Sequence, residues 1–214
     1  MSILRDEDKK AVQERLSPMT GEVKLVMFTQ EMECQYCRET HDLLNEISEL
    51  SDKISVEFYD FVKDKDKADA YNIDKVPATL VLDPGESRKN IRYYGVPSGY
   101  EFASLLDDIL MVSSGDSGLS DDTKAALAKL EKEIHMQVFV TPTCPYCPGA
   151  VRLAHQMAFE TDKVTGDMVE ATEFPQLSMK YNVRGVPRTI INEDGAVEGM
   201  MPEADVLKEV LKAV

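Results

Sequence analysis

The chain has 214 residues, of which 24 are basic and 39 acidic, and its net charge is −15. A chain this acidic is a poor ligand for nucleic acid or for an anionic membrane surface, so we interpret the excess carboxylates as a solvated surface. The N-terminal residues lack the apolar core of a signal peptide, and no stretch approaches the roughly eighteen apolar residues of a membrane span, which predicts a cytoplasmic protein.

Alternating apolar residues predict strands, and apolar residues three and four positions apart predict helices. In the first half these patterns predict, in chain order, helix 4–16, strand 23–29, a helix directly after Cys37, strand 54–60, helix 64–72, strands 78–82 and 90–94, and helix 98–112. The segment 113–118, with the sequence S-S-G-D-S-G, then predicts a flexible linker.

After this linker the same order of elements repeats. The predicted elements are helix 120–133, strand 136–141, a helix from Pro145, strand 165–171, helix 173–181, two strands broken at 194–195, and a last helix around 206–211. The sequence Y-N-[IV]-x-x-V-P occurs in both halves at an offset of 110 residues, and 43 residues separate Cys34 from Pro77 and Cys144 from Pro187. This internal duplication predicts an α/β protein of two similar units, residues 1–117 and 118–214.

The four cysteines form two C-x-x-C pairs, C-Q-Y-C at 34–37 and C-P-Y-C at 144–147. In a reducing compartment such pairs indicate redox or metal chemistry rather than structural disulfides. Each pair follows a strand and precedes a helix, and we predict that Cys144 caps its helix with Pro145 in the first helical position. The positive end of the helix dipole favours a thiolate, so Cys144 is predicted to attack disulfides and Cys147 to resolve the mixed disulfide.

Zinc binding is the alternative chemistry, because four thiolates could form a single zinc site. Against this alternative, each pair lies within its own complete unit, 110 residues from the other pair. His41 stands one turn after Cys37 and could add an imidazole ligand, although a lone histidine on a helix is more often a surface or capping residue. Thiol titration combined with metal analysis distinguishes a non-catalytic zinc or scaffold protein from an enzyme.

Two prolines are predicted to complete the two sites. Their matched spacing from the cysteines predicts that Pro77 and Pro187 follow cis peptide bonds and face the cysteine pairs. The backbone groups of Val76 and Val186 would then be ready to pair with an extended peptide. The tyrosine inside each C-x-x-C motif could either stack beside that peptide or pack at the start of the helix. These two residues are Tyr36 and Tyr146.

The motif C-P-Y-C, preceded by T-P-T and followed 43 residues later by V-P, resembles those of the thioredoxin fold and of glutaredoxins. Duplicated over the full length, the chain resembles the glutaredoxin-like protein disulfide oxidoreductases described mainly from thermophilic archaea and bacteria. The resemblance implies two thioredoxin-like folds joined edge to edge, a more active second site, and a thioredoxin-reductase-like electron donor. Carried over by position, it also implies nucleophiles, resolving thiols and cis prolines, which are Cys34 and Cys144, Cys37 and Cys147, and Pro77 and Pro187.

Two features depart from the related families. The stretches Y-G-V-P at 94–97 and G-M-M-P at 199–202 stand where glutaredoxins carry a G-G-x-D-like stretch for glutathione. Phe28 and Val138 stand six residues before the first cysteine of each pair, where thioredoxins have a buried acid. Another residue, or water, must therefore take the proton of the resolving thiol.

From these observations we predict a protein dithiol–disulfide oxidoreductase that acts on protein disulfides and needs no metal or organic cofactor. The alternative within enzymes is an electron relay between a thioredoxin-reductase-like enzyme and a peroxidase. The two intact cysteine pairs weigh against this relay.

The charges beside the two pairs predict an asymmetry. Carboxylates flank Cys34 and two arginines bracket the second proline loop, so Cys144 is predicted to have the lower thiol pKa. The charged residues concerned are Glu31, Glu33 and Asp74 at the first site, and Arg184 and Arg188 at the second. Electrons would then pass from the first pair to the second.

Overall fold

The computed structural model describes residues 3–214. In the first half the elements are α1 Asp6–Leu16, β1 Val23–Thr29, α2 Cys37–Ser48, β2 Ile54–Asp60, α3 Lys65–Ala70, β3 Ala78–Leu82, β4 Ile91–Tyr94 and α4 Glu101–Ser114. In the second half they are α5 Asp121–Leu127, β5 Ile134–Val140, α6 Cys147–Glu160, β6 Val164–Glu170, α7 Pro175–Lys180, β7 Arg188–Ile191, β8 Gly195–Glu198 and α8 Glu203–Lys212. The predicted order of elements is confirmed in both halves.

The eight strands form one sheet in the order β2-β1-β3-β4-β6-β5-β7-β8. Each half contributes two parallel strands and an antiparallel hairpin, which is the arrangement of a thioredoxin-like fold. β4 and β6 pair in parallel and join the two halves edge to edge, as the family resemblance implies. β1 and β5 run in the same direction, so the cysteine pairs that follow them lie at the same edge of the sheet, the one formed by the carboxyl ends of these two strands.

Successive side chains of the strands point to opposite faces and enter two separate cores. Leu25 and Met27 of β1 join the larger core, which also contains residues of α2, α4, α6 and α8. Val26 and Phe28 join the smaller core, on the face covered by α3 and α7. The larger core runs through both halves without interruption, so the division at residue 117 stays a prediction.

A buried ion pair links the two halves at the junction of β4 and β6. Arg92 donates to Asp167 through Nε at 2.6 Å and Nη2 at 3.0 Å, and His135 Nε2 lies 2.5 Å from the same carboxylate. Burial by itself would raise the pKa of Asp167, but Arg92 and the hydrogen bond from His135 hold it well below its usual range. Removing one partner of such a buried pair typically costs about 3–5 kcal/mol. The two halves are therefore joined by a specific charged contact in addition to their apolar packing.

The predicted flexible linker at 113–118 is wrong. α4 continues to Ser114 and ends at Gly115, which has a left-handed φ of 75° and donates its N–H to Met111. The side chain of Ser113 is buried and accepts the N–H groups of Thr20 at 2.9 Å and Gly21 at 3.0 Å. The predicted linker is therefore wrong at its start, where Ser113 is a buried helical residue that accepts two backbone N–H groups, whereas residues 114–116 are exposed.

Other boundaries differ by a few residues. The helix predicted over 120–133 ends at Leu127, because the chain turns there through hydrogen bonds from Lys129 to Ala126 and from Leu130 to Leu127. Strands 23–29, 54–60 and 78–82 match the prediction at both ends. Within residues 3–214, no helix combines the length and the apolar composition needed to cross a membrane.

Candidate active site

Both cysteine pairs lie where a central strand gives way to a helix, and both are oxidised in this structure. The Cα atoms of Cys34 and Cys37 are 5.5 Å apart, as are those of Cys144 and Cys147, and each pair forms a disulfide. The first cysteine of each pair is the more accessible: Cys34 is half-buried and Cys144 is 6% exposed, against 3% for Cys37 and 0% for Cys147. This order is the one that an attacking and a resolving thiol require.

The predicted helix cap at Cys144 is wrong by two residues. α6 begins at Cys147 with Tyr146 as its N-cap, and Cys144 with Pro145 forms the turn that leads into it. Pro148 instead occupies the first turn of the helix, where its missing N–H needs no partner. The first cysteine of each pair therefore precedes the helix, and the second is the first helical residue in both halves.

The two predicted cis prolines are confirmed at Val76–Pro77 and Val186–Pro187. The pairing of β1 with β3 and of β5 with β7 places both prolines at the sheet edge that carries the cysteines. Among the described residues, no hydrogen bond engages the backbone N–H or carbonyl of Val76 or Val186. Their pairing with an extended peptide stays a prediction.

The two motif tyrosines differ in their surroundings. Tyr146 is 67% exposed and can stack beside a bound chain. Tyr36 is half-buried, packs against the larger core, and accepts a hydrogen bond from Gln35 at 3.2 Å. The stacking alternative therefore suits the second site and the packing alternative suits the first.

The His41 ring packs on Phe58 with ring centroids 4.0 Å apart, and its Nδ1 lies 3.2 Å from Asn45. Within residues 3–214, no group of three or more His, Cys, Asp or Glu side chains is arranged to hold a metal ion. Zinc binding in the reduced state stays a hypothesis for metal analysis to test.

Most of the charges expected to separate the two sites are paired. Glu31 lies 2.8 Å from Lys63, and Asp74 lies 2.7 Å from Lys75. At the second site Arg188 is paired with Glu198. The predicted difference in thiol pKa between the sites stays a prediction, and its expected size is smaller because these pairs offset one another.

Glu101 is a buried carboxyl near the second site that sequence reasoning missed. It is 1% exposed at the start of α4, where its Oε2 accepts a hydrogen bond from Ser104 at 2.7 Å. Among the described residues its Oε1 has no hydrogen-bond partner. Burial raises the pKa of Glu101 to about 7, so this carboxyl exchanges a proton in the neutral range.

The position of α4 brings Glu101 level with the second cysteine pair. Tyr100 donates its N–H to the carbonyl of Pro142 at 3.0 Å, in the loop before Cys144. Seven residues further along each helix, Asp108 of α4 lies 2.5 Å from His155 of α6. These two contacts indicate that the helices run side by side in the same direction, with the N-terminal turn of α4 level with that of α6. The only sign of Glu101 in the sequence was an acidic residue on the apolar side of the helix predicted over 98–112.

The thioredoxin domain family matches residues 134–212. A protein disulfide oxidoreductase from Aeropyrum pernix is similar over 96% of this chain and 91% of its own, with 32% identity and a TM-score of 0.90. The N-terminal domain of alkyl hydroperoxide reductase from Enterococcus faecalis has the same fold, with 24% identity, a TM-score of 0.89, and coverage of 97% of this chain and 99% of its own.

A longer relative is an alkyl hydroperoxide reductase of Staphylococcus aureus. It is 26% identical over 208 residues, which are 97% of this chain and 38% of the relative. The chain thus spans about a third of the length of the curated relatives that it matches.

Proposed function

This chain belongs to the protein disulfide oxidoreductases, and we propose that it exchanges dithiols and disulfides on polypeptide substrates at both of its cysteine pairs. One observation supports this most directly. Each pair places its more accessible cysteine before a more buried one, at the sheet edge where a proline loop has backbone groups without hydrogen-bond partners among residues 3–214. This arrangement combines a nucleophile, a resolving thiol and a peptide-binding edge.

In the reducing direction, the thiolate of Cys144 attacks one sulfur of a substrate disulfide. A mixed disulfide forms, and the other substrate sulfur leaves as a thiolate that takes up a proton. Cys147 then loses its proton and attacks Cys144, which releases the second substrate thiol and closes the Cys144–Cys147 disulfide. Two electrons have passed from the pair to the substrate, and Cys34 with Cys37 performs the same steps at the first site.

Glu101 is suited to receive the proton of Cys147. It lies in the first turn of α4, level with the first turn of α6, and with its pKa raised to about 7 by burial it can accept a proton when the resolving thiol ionises. It thus takes the place of the buried acid that is absent from the position six residues before the nucleophile.

The exchange itself uses only thiols, so we propose no metal or organic cofactor for it. The oxidised pairs need an external donor, and a thioredoxin-reductase-like enzyme matches the chemistry. A reducing compartment such as the cytoplasm would keep the pairs available as dithiols.

Electron relay to a peroxidase is a second candidate function. It is favoured by the similarity to the alkyl hydroperoxide reductase of Staphylococcus aureus, which extends over nearly the whole chain. The two candidates share every step at the cysteines and differ in the protein that accepts the electrons.

Reduction of insulin with dithiothreitol as donor tests the proposal. We expect turnover by the natural sequence and loss of at least 90% of it, roughly ten-fold or more, when both Cys34 and Cys144 are replaced by serine. Unchanged turnover in that double variant would contradict the proposed roles.

A trapping experiment identifies the acceptor. Cys147→Ser should accumulate mixed disulfides on Cys144, and the matched Cys144→Ser variant should not. Capture of a peroxidase together with failure to turn over insulin would favour the relay. Bound zinc at one equivalent in the reduced protein, with neither activity, would favour the non-catalytic alternative.

A further inference from the structure

A cavity of about 370 Å³ lies beside the second proline loop. Val186 and Pro187 form part of its wall, so the cavity adjoins the backbone groups that would pair with an extended substrate. In that mode of recognition, pockets beside the paired backbone receive side chains of the bound peptide and determine which sequence binds. The other side chains and backbone used below also line the cavity, and they belong to Arg184, Arg188, Glu198 and Gly199.

The wall of this cavity is fixed against α6, the helix whose first residue is the resolving cysteine. Gly199 donates its N–H to the carbonyl of Pro187 at 2.8 Å. The next residue, Met200, lies against the first turn of α6, where a Cβ on Gly149 would overlap with the Met200 sulfur. The loop after β8 therefore contacts both the proline of the cavity and the helix of the second cysteine pair.

The cavity carries positive charge, although the chain has a net charge of −15. Arg184 is exposed and donates from Nε to Asn182 Oδ1 at 2.9 Å, and no carboxylate of residues 3–214 forms an ion pair with it. Arg188 pairs with Glu198, and its Nε has no hydrogen-bond partner within the described residues. Two arginines against one glutamate leave the wall with an excess of positive charge.

The first site carries the opposite charge at the equivalent position. At the offset of 110 residues, Asp74 matches Arg184 and Ala78 matches Arg188. Asp74 lies 2.7 Å from Lys75, so the lysine of this loop already has a carboxylate partner. An acidic residue thus stands where the second site has its unpaired arginine.

We propose that the cavity binds the carboxylate of an aspartate or glutamate side chain next to the reacting cysteine of a polypeptide substrate. The inference rests on the proposed function and specifies the substrate class of the second site. Arg184 donates a charge-assisted hydrogen bond to the carboxylate, and Arg188 adds to the positive potential around it. Asp74 disfavours the same substrates at the first site, so the two sites differ in the charge of the peptides that they select.

The test compares two symmetrical peptide disulfides that differ only in having glutamate or glutamine on both sides of the cysteine. Cys144 is kept as the only thiol, in the variant Cys34→Ser/Cys37→Ser/Cys147→Ser. Its thiolate attacks one peptide sulfur and forms a mixed disulfide, and the other peptide leaves as a thiolate. The rate constant at pH 8 is divided by that of dithiothreitol with the same peptide, which corrects for the effect of the glutamates on the leaving thiol.

After this correction we expect the glutamate peptide to react with Cys144 about three times faster than the glutamine peptide. Arg184→Gln should abolish the preference. Salt at about 1 M should also reduce it, because the Debye length falls to about 3 Å. With Cys34 as the only thiol, in Cys37→Ser/Cys144→Ser/Cys147→Ser, the glutamate peptide should have no advantage.

The ratio of the two rates separates substrate binding from thiol reactivity, because any effect of Arg184 on the pKa of Cys144 changes both rates alike. Lys180→Gln is the matched control: it removes one cation that pairs with Glu193 outside the cavity wall, and it should leave the ratio unchanged. Equal corrected rates at Cys144, the same preference at Cys34, or an equal loss of preference in Lys180→Gln would overturn the proposal. The exchange needs no turnover, so failure of insulin reduction would bear on the proposed function alone.

Discussion

At the scale of single residues, the molecule contains two carboxyl groups, and burial raises the pKa of each to about 7. Glu101 lies in the first turn of α4, and Glu173 accepts the backbone N–H of Val96 from the other half of the chain. Such groups cost folding free energy wherever they must ionise in the folded state, which is a common feature of functional residues.

Replacement of Glu101 by glutamine should make the protein less sensitive to pH. The folded pKa lies above the unfolded value, so this carboxyl favours folding less and less as the pH rises from about 4.5 to 7, and the loss stays constant above that. The shift corresponds to about 3 kcal/mol. Urea unfolding of the oxidised protein should therefore show a difference between pH 5 and pH 8 that is about 2–3 kcal/mol smaller in Glu101→Gln.

The matched control for that measurement is Glu131→Gln, which changes the same charge at an exposed position. Its stability should follow the natural protein at both pH values. An unchanged pH dependence in Glu101→Gln would show that the folded pKa of Glu101 is not raised.

At the scale of elements, the polar segment 113–118 at the end of α4 is held by hydrogen bonds to other parts of the chain. Ser113 is 6% exposed and Ser117 is 3% exposed, although the neighbouring residues 114–116 are exposed. Ser113 Oγ accepts the N–H groups of Thr20 and Gly21 and donates to the carbonyl of Gly21 at 2.7 Å. α4 is thereby fixed to the start of β1 at one end and, through Tyr100, to the second-site loop at the other.

Ser113→Ala should destabilise the protein by about 0.5–1.5 kcal/mol, because the N–H of Thr20 loses its acceptor in the chain. Ser114→Ala, one residue further on and exposed, is the matched control and should change stability by less than about 0.5 kcal/mol. Urea unfolding of both variants provides the measurement. Equal effects of the two substitutions would mean that the segment is as loose as its composition indicated.

At the scale of the whole molecule, one continuous sheet determines how far apart the two sites lie. β1 and β5 are separated by four interstrand spacings, or about 19 Å. Disulfide exchange needs cysteines whose Cα atoms lie within about 7 Å, so the two pairs do not exchange directly within one molecule. Passage of electrons from the first pair to the second, as the charge pattern predicted, therefore requires a carrier or a second molecule.

We expect the two sites to act independently in insulin reduction. The variant Cys34→Ser/Cys37→Ser reports the second site, and Cys144→Ser/Cys147→Ser reports the first. Because direct exchange is excluded by distance, the two rates should add up to the rate of the natural protein when the enzyme is dilute. A natural rate several times larger than the sum would reveal exchange between the pairs.

Local chemistry was sufficient to predict much of this protein from its sequence. Apolar periodicity determined the strands and helices, the shared 110-residue offset determined the duplication, and the spacing from each cysteine to its proline identified the two sites. These features depend on residues close together in the chain or on a repeated pattern, so they can be recognised from the sequence alone.

Contacts between distant residues were decided only by the tertiary structure. No pattern in the sequence indicates that Tyr100 meets Pro142, that Glu173 meets Val96, or that Arg92 pairs with Asp167. Each of these contacts depends on β4 pairing with β6, a pairing of strands that are distant in the chain. A contact within the first half likewise buried Ser113, whose hydroxyl accepts the N–H groups of Thr20 and Gly21, in a segment whose composition alone indicates flexibility.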